Sequence, residues 1–330
     1  MATIKCLFAC LLLAAACAPA LAAHAPHSKP EVQVGIMLFD GVQIIDFAGP
    51  YEVFGNAGFG VTTVSHDGKP VTTAMGLSVT PDAAFDAAPA FDVLLVPGGD
   101  VQDAQRDPDV LAFVRKHARS SRRVLSVCTG SFILAGAGLL DGLKATTFTP
   151  RIDQLAQRYP NVDVVRDVRW LDNGRMVTSA GLSSGLDAAL HVVDTLRGTD
   201  EARTVAFRLE YDWKPEGGFV RSRMADRYWP RALEAAVDWP DDMKIRTEVS
   251  LGDERQWRTV YLVTTATPAA ELLQDIAVGM QGMPGWTRIA GSYRWASERE
   301  GRHVELSLGT TPGADAGTYR LELRVDTGGA

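Results

Sequence analysis

Cys128 is the residue with the clearest capacity for chemistry. It ends an apolar run, 124–127, and leads through Thr129-Gly130 into a Gly/Ala/Leu-rich stretch expected to be helical to Leu140. A strand that turns into a helix at a cysteine puts the sulfur on a sharp corner, beside the unpaired amides of a helix N-terminus, where a thiolate is favoured. Gly130 is the small residue that such a corner requires. A second apolar run, 91–96, ends in Pro97-Gly98-Gly99. The N–H groups of Gly98 and Gly99 are unobstructed by side chains and suit a developing anion. Plainer readings compete: Cys128 as a small buried hydrophobe, and the glycine pair as a simple turn.

The other reactive side chains do not assemble by sequence position. His191 lies in an apolar helical segment, His117 on an amphipathic helix and His66 in a turn, while His24, His27 and His303 are isolated. Metal-ligand spacing is absent, so no metal is expected. Gly136-Ala137-Gly138 falls inside or at the end of a helix rather than between a strand and a helix start, which removes the phosphate-binding mechanism of a dinucleotide loop. No cofactor is expected.

Around these residues stands a chain of 330 residues with 46% hydrophobic and 22% charged residues, enough for about two globular domains. The formal net charge of −7 argues against a large non-specific nucleic-acid surface, which needs Lys and Arg to neutralise phosphates. The expected partner is a small-molecule substrate.

The first 22 residues read as a signal peptide. Lys5 precedes an apolar run, 6–18, and Ala20-Leu21-Ala22 has the small-x-small pattern of a cleavage site. The run is too short and Ala-rich to span a membrane. The expected location is periplasmic or secreted, with lipidation at Cys17 the lesser alternative because Ala14 stands where a lipoprotein site usually has Leu. Cys6, Cys10 and Cys17 leave with the signal segment, so the mature chain keeps Cys128 alone and has no internal disulfide. A lone thiol in an oxidising compartment is a chemical liability.

The elements that must position Cys128 alternate. Strands are expected at 32–38, 61–65, 91–96, 124–127, 144–147 and 175–178, and helices at 44–57, 107–118, 130–140, 152–159 and 185–196. Buried strands joined by helical crossovers imply a flavodoxin-like α/β domain over 32–210, with a mostly parallel sheet covered on both faces. Ligands in such sheets sit at the carboxyl ends of strands, where Gly98, Gly99 and Cys128 fall. Residues 211–242, rich in Trp, Pro and Arg, read as a connector wrapped on the domain. A small α+β domain, 243–330, follows, with strands at 244–251, 259–265, 287–295, 303–309 and 318–325 and a helix at 268–280.

Several segments carry a family resemblance. Val96-Pro97-Gly98-Gly99, Val127-Cys128-Thr129-Gly130, Leu134-Ala135-Gly136-Ala137-Gly138-Leu139-Leu140-Asp141-Gly142 and Ala145-Thr146-Thr147 resemble the class I glutamine-amidotransferase-like PfpI superfamily. Asp46-Phe47-Ala48-Gly49-Pro50-Tyr51-Glu52-Val53-Phe54, Ser179-Ala180-Gly181-Leu182-Ser183-Ser184-Gly185-Leu186-Asp187 and Glu210-Tyr211-Asp212 resemble its isonitrile-hydratase group, which shares its domain with amidase-like transcription regulators. The resemblance spans about 32–219.

It implies that Cys128 is the nucleophile, Thr129 the hydroxyl residue that follows it, and Asp46 the acid of the D-x-x-G-P motif, acting as proton donor or relay. The competing reading of Asp46 is charge compensation at a helix N-terminus. Gly49 belongs to the same motif and is assigned with Gly98 and Gly99 to the substrate-binding set, while Glu52 reads as structural. Phe148 stands where many relatives have His, which puts a Cys-His-acid triad in doubt. The implied activity is cysteine-dependent hydration of an isonitrile to an N-substituted formamide, the work of a lyase. A non-catalytic ligand-binding or redox-sensing protein and a thiol-dependent amidase or glyoxalase/deglycase-like hydrolase are the alternatives. Superfamily members commonly form homodimers.

Overall fold

The computed structural model describes residues 31–328 except 217. The signal-peptide and Cys17 readings lie outside the described residues.

Seven strands form the central sheet, in the order Trp170–Asp172, Met176–Ser179, Arg123–Val127, Val93–Val96, Gln33–Met37, Gly60–Ser65 and Ala83–Ala84. All neighbours are parallel except the first pair, an antiparallel hairpin at one edge. Alternate residues serve opposite faces, as the two-residue repeat of a strand requires. Leu95, Leu125 and Val177 join one apolar cluster with the helices Ile44–Asn56 and Ser183–Arg197. Leu94, Val124 and Met176 join another with Pro108–Ser120 and Gly130–Gly136. Burial on both faces explains why the central strands read as continuous apolar runs.

Local chemistry sets the helix ends. Asp107 caps Pro108–Ser120, its carboxylate accepting from Asp109 N–H at 2.8 Å and Val110 N–H at 3.4 Å, with Pro108 at the first helical position. The helix after Cys128 stops at Gly136, short of the expected Leu140. There Leu139 N–H donates to Leu134 O and Gly138 N–H to Ala135 O, the paired bonds of a Schellman turn. Two further differences concern small elements. Lys144–Ala145 pairs with Asp163–Val164 in a separate two-stranded ladder, and Thr199–Arg208, read from sequence as no element, is a helix packed on Ser183–Arg197.

The C-terminal region is a six-stranded antiparallel sheet, with Lys244–Gly252 and Thr287–Ile289 at its edges and the helix Ala269–Gln281 on one face. The segment read as one strand, 287–295, is a hairpin of Thr287–Ile289 with Arg294–Arg299, because Gly291-Ser292 turn the chain. The stretch 211–242 divides between the two regions. Trp213 packs in the α/β core, whereas Leu233 and Val237 pack with Leu272 and Ile276 beneath the C-terminal sheet.

Candidate active site

The elbow at Cys128 is held in an unfavourable backbone conformation. Cys128 has φ +57°, in the left-handed region that L-residues avoid. Three hydrogen bonds keep it there: its N–H donates to Ser179 O at 3.1 Å, and its carbonyl accepts from Thr147 Oγ1 at 2.9 Å and Ser131 Oγ at 3.2 Å. Two glycines make the space. A Cβ on Gly130 would lie 2.1 Å from Val96 O, and one on Gly181 would lie 2.3 Å from Cys128 Cβ. Gly181 also has φ +85°, so its lack of a side chain answers both a steric and a conformational demand.

Asp46 sits in the first turn of Ile44–Asn56 and is fully buried. Its Oδ1 accepts from Leu182 N–H at 3.0 Å. The Cys128 thiol and Gly98 N–H also lie against the carboxylate and favour its charged form, although Oδ2 makes no hydrogen bond of regular geometry. Burial outweighs these contacts and raises the Asp46 pKa from 3.8 to about 6. The thiol moves the same way: burial pushes it well above its ordinary range, the Asp46 charge adds to this, and the Thr129 amide and hydroxyl oppose it. At neutral pH the pair therefore rests as thiol and carboxylate, with one proton between them. This differs from the thiolate expected of a helix N-terminus. The helix is only seven residues long, and its amides face a desolvated sulfur beside a negative charge.

The glycine pair also differs in its resting geometry from the open anion site read from sequence. Gly99 N–H donates to Thr129 Oγ1 at 2.9 Å, and the Thr129 hydroxyl lies 2.9 Å from Gly99 O, to which it donates. Gly98 N–H faces the Asp46 carboxylate. The donors left for the sulfur are the amide and the hydroxyl of Thr129, and that single hydroxyl proton goes either to Gly99 O or to the sulfur. Gly98 itself permits close approach, since a Cβ there would lie 2.6 Å from Thr129 N. Gly49 lies at a helix crossing, where a Cβ would meet Leu186 Cδ2 at 3.0 Å. Its position serves packing of the helix that carries Asp46.

No described histidine is engaged with the elbow. His117 packs between the rings of Phe91 and Phe113 at 5.0 and 4.4 Å, and His191 pairs with Asp172 at 2.8 Å. His66 and His303 pair with Asp109 and Glu298. Phe148 instead lines a cavity of about 780 Å³ that is also bounded by Gly181 and Leu182, the residues against Cys128 and Asp46.

That cavity contains a polar group that sequence reasoning passed over. Arg169 Nη1 pairs with Asp187 Oδ1 at 2.9 Å, with 11% and 5% of the two side chains exposed, and the Tyr211 hydroxyl hydrogen-bonds Asp187. Arg169 also donates to the carbonyls of Lys214 and Pro215. Asp187 and Tyr211 stand in segments whose residue order was already distinctive. Arg169 precedes an edge strand in an irregular stretch and carried no signal. Leu182 was quoted only as part of a motif, and nothing in its residue type announces an N–H held at φ +53° to meet a carboxylate.

Comparison with known proteins identifies the family. The profile of the DJ-1/PfpI family matches residues 32–195. Isonitrile hydratase of Pseudomonas putida is 40% identical over 225 residues, which cover 66% of this chain and 95% of the relative. The chain belongs to the DJ-1/PfpI family. A solved family structure, a THiJ/PfpI family protein from Pseudomonas syringae, is 32% identical with a TM-score of 0.52, covering 58% of this chain and 85% of that one. The DJ-1/PfpI region is also similar to the HTH-type transcriptional regulator GbdR of Pseudomonas aeruginosa, 29% identical over 194 residues, 57% of this chain and 53% of the regulator. The family accounts for the mostly parallel sheet and its helices; the antiparallel C-terminal sheet is an addition to it.

Proposed function

We propose that the protein hydrates small isonitriles to N-substituted formamides, using Cys128 as nucleophile and Asp46 as proton relay. The observation that carries this reading is the buried pair itself: a strained thiol whose neighbouring base is a carboxylate with a pKa near 6. The identity with isonitrile hydratase across nearly all of that relative supports it.

In the proposed cycle the substrate's organic group occupies the cavity bounded by Phe148, Leu182 and Tyr211. Asp46 takes the thiol proton as the sulfur bonds to the terminal isonitrile carbon, and returns it to that carbon to give a thioimidate, R–N=CH–S–Cys128. Water then adds at the same carbon, its proton passing through Asp46 to nitrogen. Collapse of the adduct breaks the C–S bond, releases R–NH–CHO and restores the thiol. The thiol's suppressed acidity suits this order, because sulfur becomes nucleophilic only as Asp46 accepts the proton. Thr129 steadies the developing thiolate through its amide and hydroxyl. Phe148 is consistent with a reaction that needs no histidine.

The test is incubation with benzyl isonitrile in ¹⁸O-water, with product detected by mass spectrometry. One ¹⁸O in the formamide and loss of turnover in Cys128→Ala are expected. Lack of wild-type turnover, or equal turnover in the folded variant, overturns the proposal. Of the second readings, a ligand-binding protein without turnover is favoured by the same suppressed thiol acidity, which works against redox sensing because oxidation proceeds through the thiolate; the ligand-binding reading takes over if wild type binds the isonitrile without converting it.

A further inference from the structure

A second cavity, of about 560 Å³, lies between the C-terminal sheet, the 221–243 stretch that packs on it, and Pro150 of the α/β domain. We propose that it is a binding site for a neutral, mainly aromatic small molecule bearing one hydrogen-bond donor.

Its size falls within the roughly 300–1,000 Å³ typical of small-molecule sites. Its walls are aromatic to an unusual degree, with Trp229, Trp239, Trp257 and Tyr261 all facing the space. Trp229 and Trp257 meet edge to face at 6.1 Å, which leaves ring faces and edges to receive a flat guest. Leu321 and Leu323, on the neighbouring strand, line it from below and are almost wholly buried.

Asp226 provides the polar end. The residue is 7% exposed and lines the cavity, yet its Oδ1 is buried without a hydrogen-bond partner among the described residues. Its Oδ2 is ion-paired with Arg221. Oδ1 lies just behind the cavity wall, so a guest's donor reaches it by a turn of the carboxyl group, and matching a buried acceptor that is otherwise costly then adds to what shape alone provides. Charge selects a neutral guest. Arg221 offsets Asp226, and Arg231 and Glu234 bring one further charge of each sign to the lining, so neither a free cation nor a free anion is preferred. The mouth is marked by Ile245, a large apolar side chain 58% exposed on the edge strand Lys244–Gly252. Pro150 and Arg221 also line the cavity beside Gly181 and Leu182, so the two spaces adjoin, whereas Asp226, the aromatic wall and Ile245 line this one alone.

Titration calorimetry of the full chain with indole and with 1-methylindole tests it, since the two probes differ by one N–H donor. Saturable one-to-one binding of indole is expected, with 1-methylindole about tenfold weaker or more, the scale of one lost hydrogen bond to a buried acceptor. Ile245→Glu, a change at an exposed edge position, should weaken indole at least about fivefold while thermal unfolding stays near that of wild type. Absence of saturable indole binding overturns the proposal. So does equal affinity for the two probes, or indole binding that Ile245→Glu leaves unchanged, which would assign the probe to another cavity.

Discussion

Replacing Asp46 by Asn should raise stability, make the thiol more acidic and still abolish turnover. The first effect follows from burial. Holding a carboxyl at a pKa of about 6 instead of 3.8 costs the folded protein up to about 3 kcal/mol at neutral pH. The sign is that of a raised acid: between pH 3.8 and about 6 the folded state binds the proton more tightly, so stability declines as pH rises through that window. An amide has no charge to desolvate and keeps an oxygen for Leu182 N–H, so Asp46→Asn should unfold at higher temperature at pH 7 and show no such gain near pH 3. The second effect follows from the charge facing the sulfur, whose removal lowers the thiol pKa. Iodoacetamide should then react faster at pH 7 than with wild type. Turnover should nevertheless fall by roughly 10²-fold or more, because the amide cannot accept the thiol proton. In wild type, kcat/KM for isonitrile hydration should fall about tenfold for each pH unit below about 6, as Asp46 becomes protonated. Differential scanning calorimetry, alkylation monitored by mass spectrometry and the hydration assay read the three effects separately. Slower alkylation in Asp46→Asn, or turnover within about threefold of wild type, would refute the proton-relay role.

Three other predictions have defined outcomes. Gly181→Ala sets a methyl 2.3 Å from Cys128 Cβ at φ +85° and should cost about 2 kcal/mol or more in urea unfolding while disabling the elbow; a neutral result would show that the corner is free to move. Arg169→Met strands the buried Asp187 carboxylate and should destabilise by about 3 kcal/mol at pH 7, with a smaller loss at pH 5, since burial already raises Asp187 and protonation removes the unpaired charge. If the proposed export is right, Edman sequencing of protein from a periplasmic fraction should begin near Ala23, whereas an intact Met1 in cytoplasmic protein would count against it.

How much was legible from residues alone follows from the range of the forces involved. The strand 124–127, the glycine after Thr129 and the break at Pro97-Gly98-Gly99 are local signals, because apolar runs, helix starts and tight turns are dictated by neighbours in the chain. They were enough to put Cys128 at the carboxyl edge of a parallel sheet. The order of residues around Asp46 also marked it as a site candidate, although the 81 positions between it and Cys128 carry no geometric information. Three things depended on chain segments far apart in sequence. The protonation of the pair is set by burial and by the meeting of Asp46, Leu182 and Cys128 from three crossovers. The amide of Gly99 is taken up by Thr129, and that of Gly98 faces the Asp46 carboxylate. Arg169 and Asp187 become a pair only when the edge hairpin folds back over the helix Ser183–Arg197. The polypeptide's own pattern therefore determined which element bears Cys128, while tertiary contact decided its charge state and its surroundings, since desolvation and long-range hydrogen bonds exist only once distant segments close over one another.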